Sequence, residues 1–209
     1  NNDLIIADEP NPIYPPLKAW LKADAITGKY SGNPVEIWQD SSDNGHNFIG
    51  GYWGPSGNTH LPTYQTNQIN SLPVVRFTGD QWMISLEDIQ DDVGPLTVIA
   101  VAKNIDNERH EMDAAGVLVE LTTDDYGFAR TTLKAGQNRI TTHSRMGKYT
   151  HDLSSVDYIG SDFVAVGTFM PDIEHLPYVN GQPSSLPGTA NNTQSNVIAI
   201  GSHAKQHLR

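Results

Sequence analysis

The sequence predicts an all-β chain folded as a two-sheet antiparallel β-sandwich. Three observations carry this. Short apolar or alternating runs recur along the chain, separated by polar turns rich in Gly, Asn and Asp. The 209 residues include 18 Gly and 13 Pro, which suits many short strands joined by turns. No segment shows a sustained helical stripe with caps at both ends.

The elements follow in order. Residues 1–16 carry Pro10, Pro12, Pro15 and Pro16, each of which removes a backbone donor. They are expected to form an extended lead-in or linker, with a single domain over 17–209. Residues 17–24 (LKAWLKAD) fit helical and strand spacing alike. The segment is short and follows two prolines, so a strand with Trp20 on its outer face is expected. Residues 34–77 give the clearest plan: a β-run ending in Trp38, an acidic Asn-Gly turn, a loop, and a β-run entered at Pro73 and left at Gly79.

Residues 96–102 (LTVIAVA) are nearly all apolar, as in a strand covered on both faces. Residues 116–121 and 128–133 flank a turn containing Asp124, Asp125 and Gly127, and read as a hairpin. Residues 139–142, 162–169 and 177–182 follow as strands. Asn180-Gly181 accepts the positive φ values of a tight hairpin turn. Residues 196–201 (NVIAIG) form the last strand. A short helical turn is expected at 87–92, and 182–195 is the most loop-like stretch.

Composition narrows the function. Twenty-four acids against 13 bases give a net charge of −11. That balance argues against nucleic acid and anionic membrane surfaces. The absence of Cys excludes disulfides, thiol catalysis and zinc–thiolate sites. No apolar run reaches the ~18 residues of a membrane span.

The phrases LKAWLKADAITG, VEIWQDSSDNGHNF, LPTYQTNQINSLPVVRFTG, LTVIAVAK and YVNGQ, in this order, resemble the laminin-G-like or concanavalin A-like jelly-roll domains of bacterial extracellular proteins. The turn formed by Trp38, Asp40, Ser42, Asn44 and Gly45 and the LPVVRF strand are the most specific parts. The resemblance covers about residues 17 to 201 and implies two curved sheets packed face to face. It implies a secreted or cell-surface binding module for a glycan or polysaccharide, in some members with calcium. The family pattern continues beyond NVIAIG into a further strand. Only 202–209 remain here, so the last sheet is expected to lack its closing strand unless another segment supplies it.

Four constellations are candidates for chemistry. The acidic turn 40–47 places Asp40, Asp43 and Asn44 close together, and hard cations such as calcium take oxygen ligands of this kind. The alternative is an Asx-stabilised turn with no ion. Glu111 and Asp113 share a strand face, as in concanavalin A-like glucanases, but Ala115 and Gly116 stand where the second Glu is required. The eight His residues form no zinc-binding spacing. Tyr52, Trp53 and Trp82 are candidate stacking surfaces for sugar rings, with Arg145 a further ligand contact.

The first functional hypothesis is therefore a non-catalytic carbohydrate-binding module, with calcium a candidate cofactor. The second is a polysaccharide hydrolase or lyase whose cleft is lined by Arg130, His143, Arg145 and Tyr149. The third is an adhesion domain that binds another protein, or a neighbouring domain of the same parent chain, through an open sheet edge.

Overall fold

The computed structural model describes residues 17–50, 61–78, 81–85, 94–103, 117–122, 130–136, 139–144, 150–152, 160–170, 173–183 and 197–201, with 122 and the three segments between 130 and 152 described as backbone. Within them the chain is all-β, apart from one 3-10 turn at Ala23–Ala25. In chain order the strands are β1 (Ile37–Trp38), β2 (Phe48–Gly50), β3 (Thr63–Ile69), β4 (Leu72–Arg76), β5 (Met83–Ser85), β6 (Leu96–Lys103) and β7 (Val117–Thr122). They continue as β8 (Arg130–Gly136), β9 (Arg139–Ser144), β10 (Thr150–Asp152), β11 (Asp162–Met170), β12 (Glu174–Val179), β13 (Gln182–Pro183) and β14 (Val197–Ile200).

Three antiparallel sheets result. The largest runs β1-β2-β5-β14-β7-β8-β9-β10, the second β13-β12-β11-β6, and β3-β4 form a separate ribbon. The two larger sheets face each other across one core. Phe48, Met83, Leu121 and Ile198 from the first pack with Leu96 and Val98 from the second, while Val35 and Tyr64 fill the same cluster. Phe163, Ala165 and Val179 extend the core beside Leu118. The sandwich expected from the turn-punctuated pattern is thus present.

Alternation explains which side of each strand is buried. In β11, Phe163, Ala165, Gly167 and Phe169 face in, and Val164 and Met170 face out. His175 of β12 is fully buried and stacks on Phe169 at 6.1 Å. The Asn180-Gly181 turn has φ of +49° and +80°, the geometry that matches hairpin twist. Gly201 ends β14 at φ +87°, and a Cβ there would strike the Phe77 ring and lie 2.9 Å from the Gln81 carbonyl. Only glycine fits that position.

Several expectations need correction. Residues 96–102 are covered on one face only: Ile99 and Val101 are 65 % and 63 % exposed. They face out next to Val166 and Val164 of β11, on the outer side of the second sheet. Residues 17–24 form no strand. Leu21 makes one isolated bridge to Asp40, and the chain then enters the 3-10 turn. Trp20 does point outward, 51 % exposed, with the Lys22 ammonium 5.1 Å from its ring centre. β3 falls where a loop is expected. β14 is hydrogen-bonded on both sides, by β5 and β7, so that strand offers no free edge. The segments 1–16, 87–92, 104–116 and 184–196 lie outside the described residues.

Candidate functional site

The acidic turn is a hydrogen-bonded buckle. Asp40 Oδ1 accepts from the Trp20 N–H (2.7 Å) and the Ser42 N–H (2.9 Å). Its Oδ2 accepts from the Ser42 hydroxyl (2.5 Å) and the His46 N–H (3.1 Å). Asn44 Nδ2 donates to the carbonyls of Leu17 (2.7 Å) and Lys18 (2.9 Å). The Asn47 side chain accepts from the Asp40 N–H. Together these bonds lash residues 17–21 to the turn that joins β1 to β2. Partial burial pushes the Asp40 carboxyl up, but the Ser42 hydroxyl and the three backbone N–H donors outweigh it and hold the group below its ordinary value.

Four donors match the four lone-pair directions of one carboxylate. Asp43 is exposed beside this buckle. Among the described residues no three His, Asp or Glu side chains converge as metal ligands. The Asp40–Asn47 arrangement is that of the Asx-stabilised turn, with the carboxylate committed to protein donors.

The aromatic candidates separate. Trp82 is 5 % exposed and packs with Ile84, Val197 and Ala199, so its ring offers no face for a sugar to stack on; this corrects its assignment as a ligand contact. An aromatic next to a strand reads the same in sequence whether it turns in or out. Tyr52, Trp53 and Arg145 lie outside the described residues, as do Glu111, Asp113 and Tyr149.

A different set of residues is brought together by the register of the large sheet. Directly paired residues of adjacent antiparallel strands share a face. Following the pairs from strand to strand gives one row: Ile37, Ile49, Ile84, Ala199, Glu120, Thr132, His143 and Thr150. At about 4.8 Å per strand the row is about 34 Å long. It lies on the side away from the sandwich core, because Val119 and Leu121, the neighbours of Glu120 on β7, pack inward.

The row changes character along its length. Ile37 and Ile49 are exposed. Ile84, Ala199 and Glu120 are fully buried, although they face away from the core. Thr132, His143 and Thr150 continue it in polar residues. In the next rows Thr122 pairs with Arg130, and Val117, Lys134, Thr141 and Asp152 lie side by side. Register thus places hydroxyl-bearing residues, a histidine and basic residues at neighbouring outer-face positions of β8-β10, beside the buried Glu120. Glu120 went unrecognised in sequence because it sits inside the apolar run VLVEL; the signal was that a lone acid in such a run is rarely buried without a purpose.

No protein-family model matches the chain, and no curated protein matches it in sequence. Among solved structures, an HCR/D point mutant aligns at 14 % identity and TM-score 0.47 over 82 % of this chain and 42 % of that one. A botulinum neurotoxin type C structure, whose cell entry depends on interaction with two ganglioside molecules, aligns at 10 % identity and TM-score 0.47, covering 84 % of this chain and 42 % of that one. The botulinum neurotoxin serotype G binding domain aligns at 16 % identity and TM-score 0.42, covering 82 % and 44 %. The chain spans less than half the length of these structures. Likeness at this level carries no argument about a ligand.

Proposed function

We propose that this chain is a carbohydrate-binding module of an exported bacterial protein, on a laminin-G-like or concanavalin A-like jelly roll. The binding surface is the outer face at the β8-β9-β10 end of the eight-stranded sheet; the centre of that face, with Trp82, Ile84, Glu120, Val197 and Ala199, is covered. The observation that carries this reading is the cross-strand row Thr132, His143, Thr150, which starts beside the covered Glu120. Sugars present hydroxyls at their edges, and the row offers hydrogen-bonding partners for them. Glu120, being covered, anchors the row, and Thr132, His143 and Thr150 meet the ligand. Recognition placed on sheet positions costs little ordering entropy on binding.

The test is binding of the intact chain to a panel of immobilised polysaccharides, wild type against Thr132→Ala and His143→Ala. Each variant is expected to weaken the best ligand by about tenfold, the loss of roughly one good hydrogen bond. Unchanged binding by both variants would remove this face; no binding to any glycan by the wild type would remove the carbohydrate reading.

The same row favours a second reading, degradation of a polysaccharide. His143, in the same outer-face row as Thr132 and Thr150, is the residue that would serve as its base. Release of reducing ends or unsaturated products, lost in His143→Ala, is the outcome that would establish it.

A further inference from the structure

Residues 126–151 contain Arg130, Lys134, Arg139, Arg145 and Lys148 and no Asp or Glu, in a chain of net charge −11. Five of the 13 bases therefore fall in one acid-free stretch. The register of β8 and β9 sorts them further. Thr132 pairs with His143, Lys134 with Thr141, and Gly136 with Arg139. With the two-residue alternation of strands, Arg130, Thr132 and Lys134 of β8 and Arg139, Thr141 and His143 of β9 all take outer-face positions. The inner positions, residues 131, 133 and 135 on β8 and 140, 142 and 144 on β9, are Thr, Leu, Ala, Ile, Thr and Ser. Every base of the hairpin is on one side.

The order of the bases is as informative as their side. Along the strand axis they come as Arg130, His143, Lys134, Arg139, alternating between β8 and β9. Each step is two residues, about 7 Å, so the line is about 20 Å long. Across the strand pair, Thr132 stands opposite His143 and Thr141 opposite Lys134. Basic and hydroxyl-bearing residues thus alternate over the outer-face positions of the hairpin, and Asp152 of β10, beside Thr141, bounds them on one side.

We propose that this hairpin face binds a linear acidic polysaccharide, its carboxylate or sulfate groups meeting the line of bases and its hydroxyls meeting the threonines. The proposal rests on the carbohydrate reading of this face and names the class of glycan. A step of about 7 Å between cations is coarse beside duplex DNA, which carries a charge every ~1.7 Å of axis. It suits a polymer whose charges are separated by whole sugar rings. A basic strip in a chain of net charge −11 also favours one placement of the polyanion, since the protein's average charge repels it.

The experiment measures binding of the intact chain to polygalacturonate, heparin, dextran and a duplex oligonucleotide. Polygalacturonate carries carboxylates only and heparin carries sulfates as well, so the stronger of the two identifies the preferred acid. The expected result is binding to at least one of them, no binding to dextran or DNA, and weakening of about tenfold or more between about 0.05 M and 0.5 M salt. The double variant Lys134→Ala/Arg139→Ala is expected to lose about tenfold or more in affinity, while Lys134→Arg retains binding. Unaltered circular dichroism shows that the double variant is folded; if it is not, Lys134→Gln alone is used. Dextran binding equal to that of the acidic glycans overturns the proposal and leaves the carbohydrate reading standing. DNA binding equal to that of the glycans overturns it as mere polyanion attraction. No binding to any glycan overturns both.

Discussion

Removing the Asp40 carboxylate should loosen the whole amino-terminal edge of the sandwich. The Asp40→Ala variant leaves the N–H groups of Trp20, Ser42 and His46 and the Ser42 hydroxyl without the acceptor they share. A hydrogen bond to a charged group contributes about 1.5–3 kcal/mol when buried. This turn is half-exposed, so water recovers much of each loss, and the four bonds form a network whose members do not add. The expected cost is about 2–4 kcal/mol, which for a chain of this size lowers the melting temperature by about 5–12 °C. Asp40→Asn keeps one acceptor oxygen and should cost about half as much. Urea unfolding followed by circular dichroism gives the number, with the denaturant slope unchanged if only the turn is affected. Stability of Asp40→Ala within about 0.5 kcal/mol of wild type would refute the buckle as a structural device.

The folded-state pKa of Asp40 lies below its usual 3.8, so its contribution is complete above that value and disappears as pH falls through the lower one. The stability gap between wild type and Asp40→Asn should be constant near neutrality and shrink below pH 3.8, as melting curves across acid pH will show. If calcium does bind the turn, it must displace the N–H donors from Asp40. Melting of chelator-treated protein with added calcium is therefore expected to give no rise that Asp40→Asn abolishes. Among the described residues the buried Ser85 Oγ has no hydrogen-bond partner, so Ser85→Ala should be neutral or stabilising by up to about 1 kcal/mol in urea unfolding. Gly201→Ala forces a side chain into positive φ against Phe77; a loss of about 2–4 kcal/mol is expected by the same assay.

Sequence carried the sandwich where the local signal and the tertiary demand agreed. Asn180-Gly181 announced its turn because few other residue pairs accept two positive φ angles, and the VLVELT run announced β7. β3 was illegible because TYQTNQI is polar and its pairing shifts between Gln65 and Ile69, where Asn67 takes φ +53°. A bulge of that kind breaks the alternation by which strands are read. β2 and β5 are three residues long, too short for any periodicity. Trp82 was misjudged because burial is decided by what lies opposite, which the sequence does not display. The cationic strip was hidden by bookkeeping over the whole chain: a net charge of −11 speaks for the average surface and not for one hairpin. The alternation Arg-Thr-Lys on β8 and Arg-Thr-His on β9 was legible, but only pairing put the two on one side.

The place of β14 in the sheet order has a bearing on biosynthesis. β1, β2 and β5 make one half of the large sheet, β7 to β10 the other, and β14 is the seam between them. Until residues 197–200 leave the ribosome, β5 and β7 each keep a bare edge, and neither half has its neighbour. Such edges recruit strands from other nascent chains. Translation rate and chaperone supply up to the emergence of residues 197–200 should therefore govern how much of this sheet assembles without aggregating.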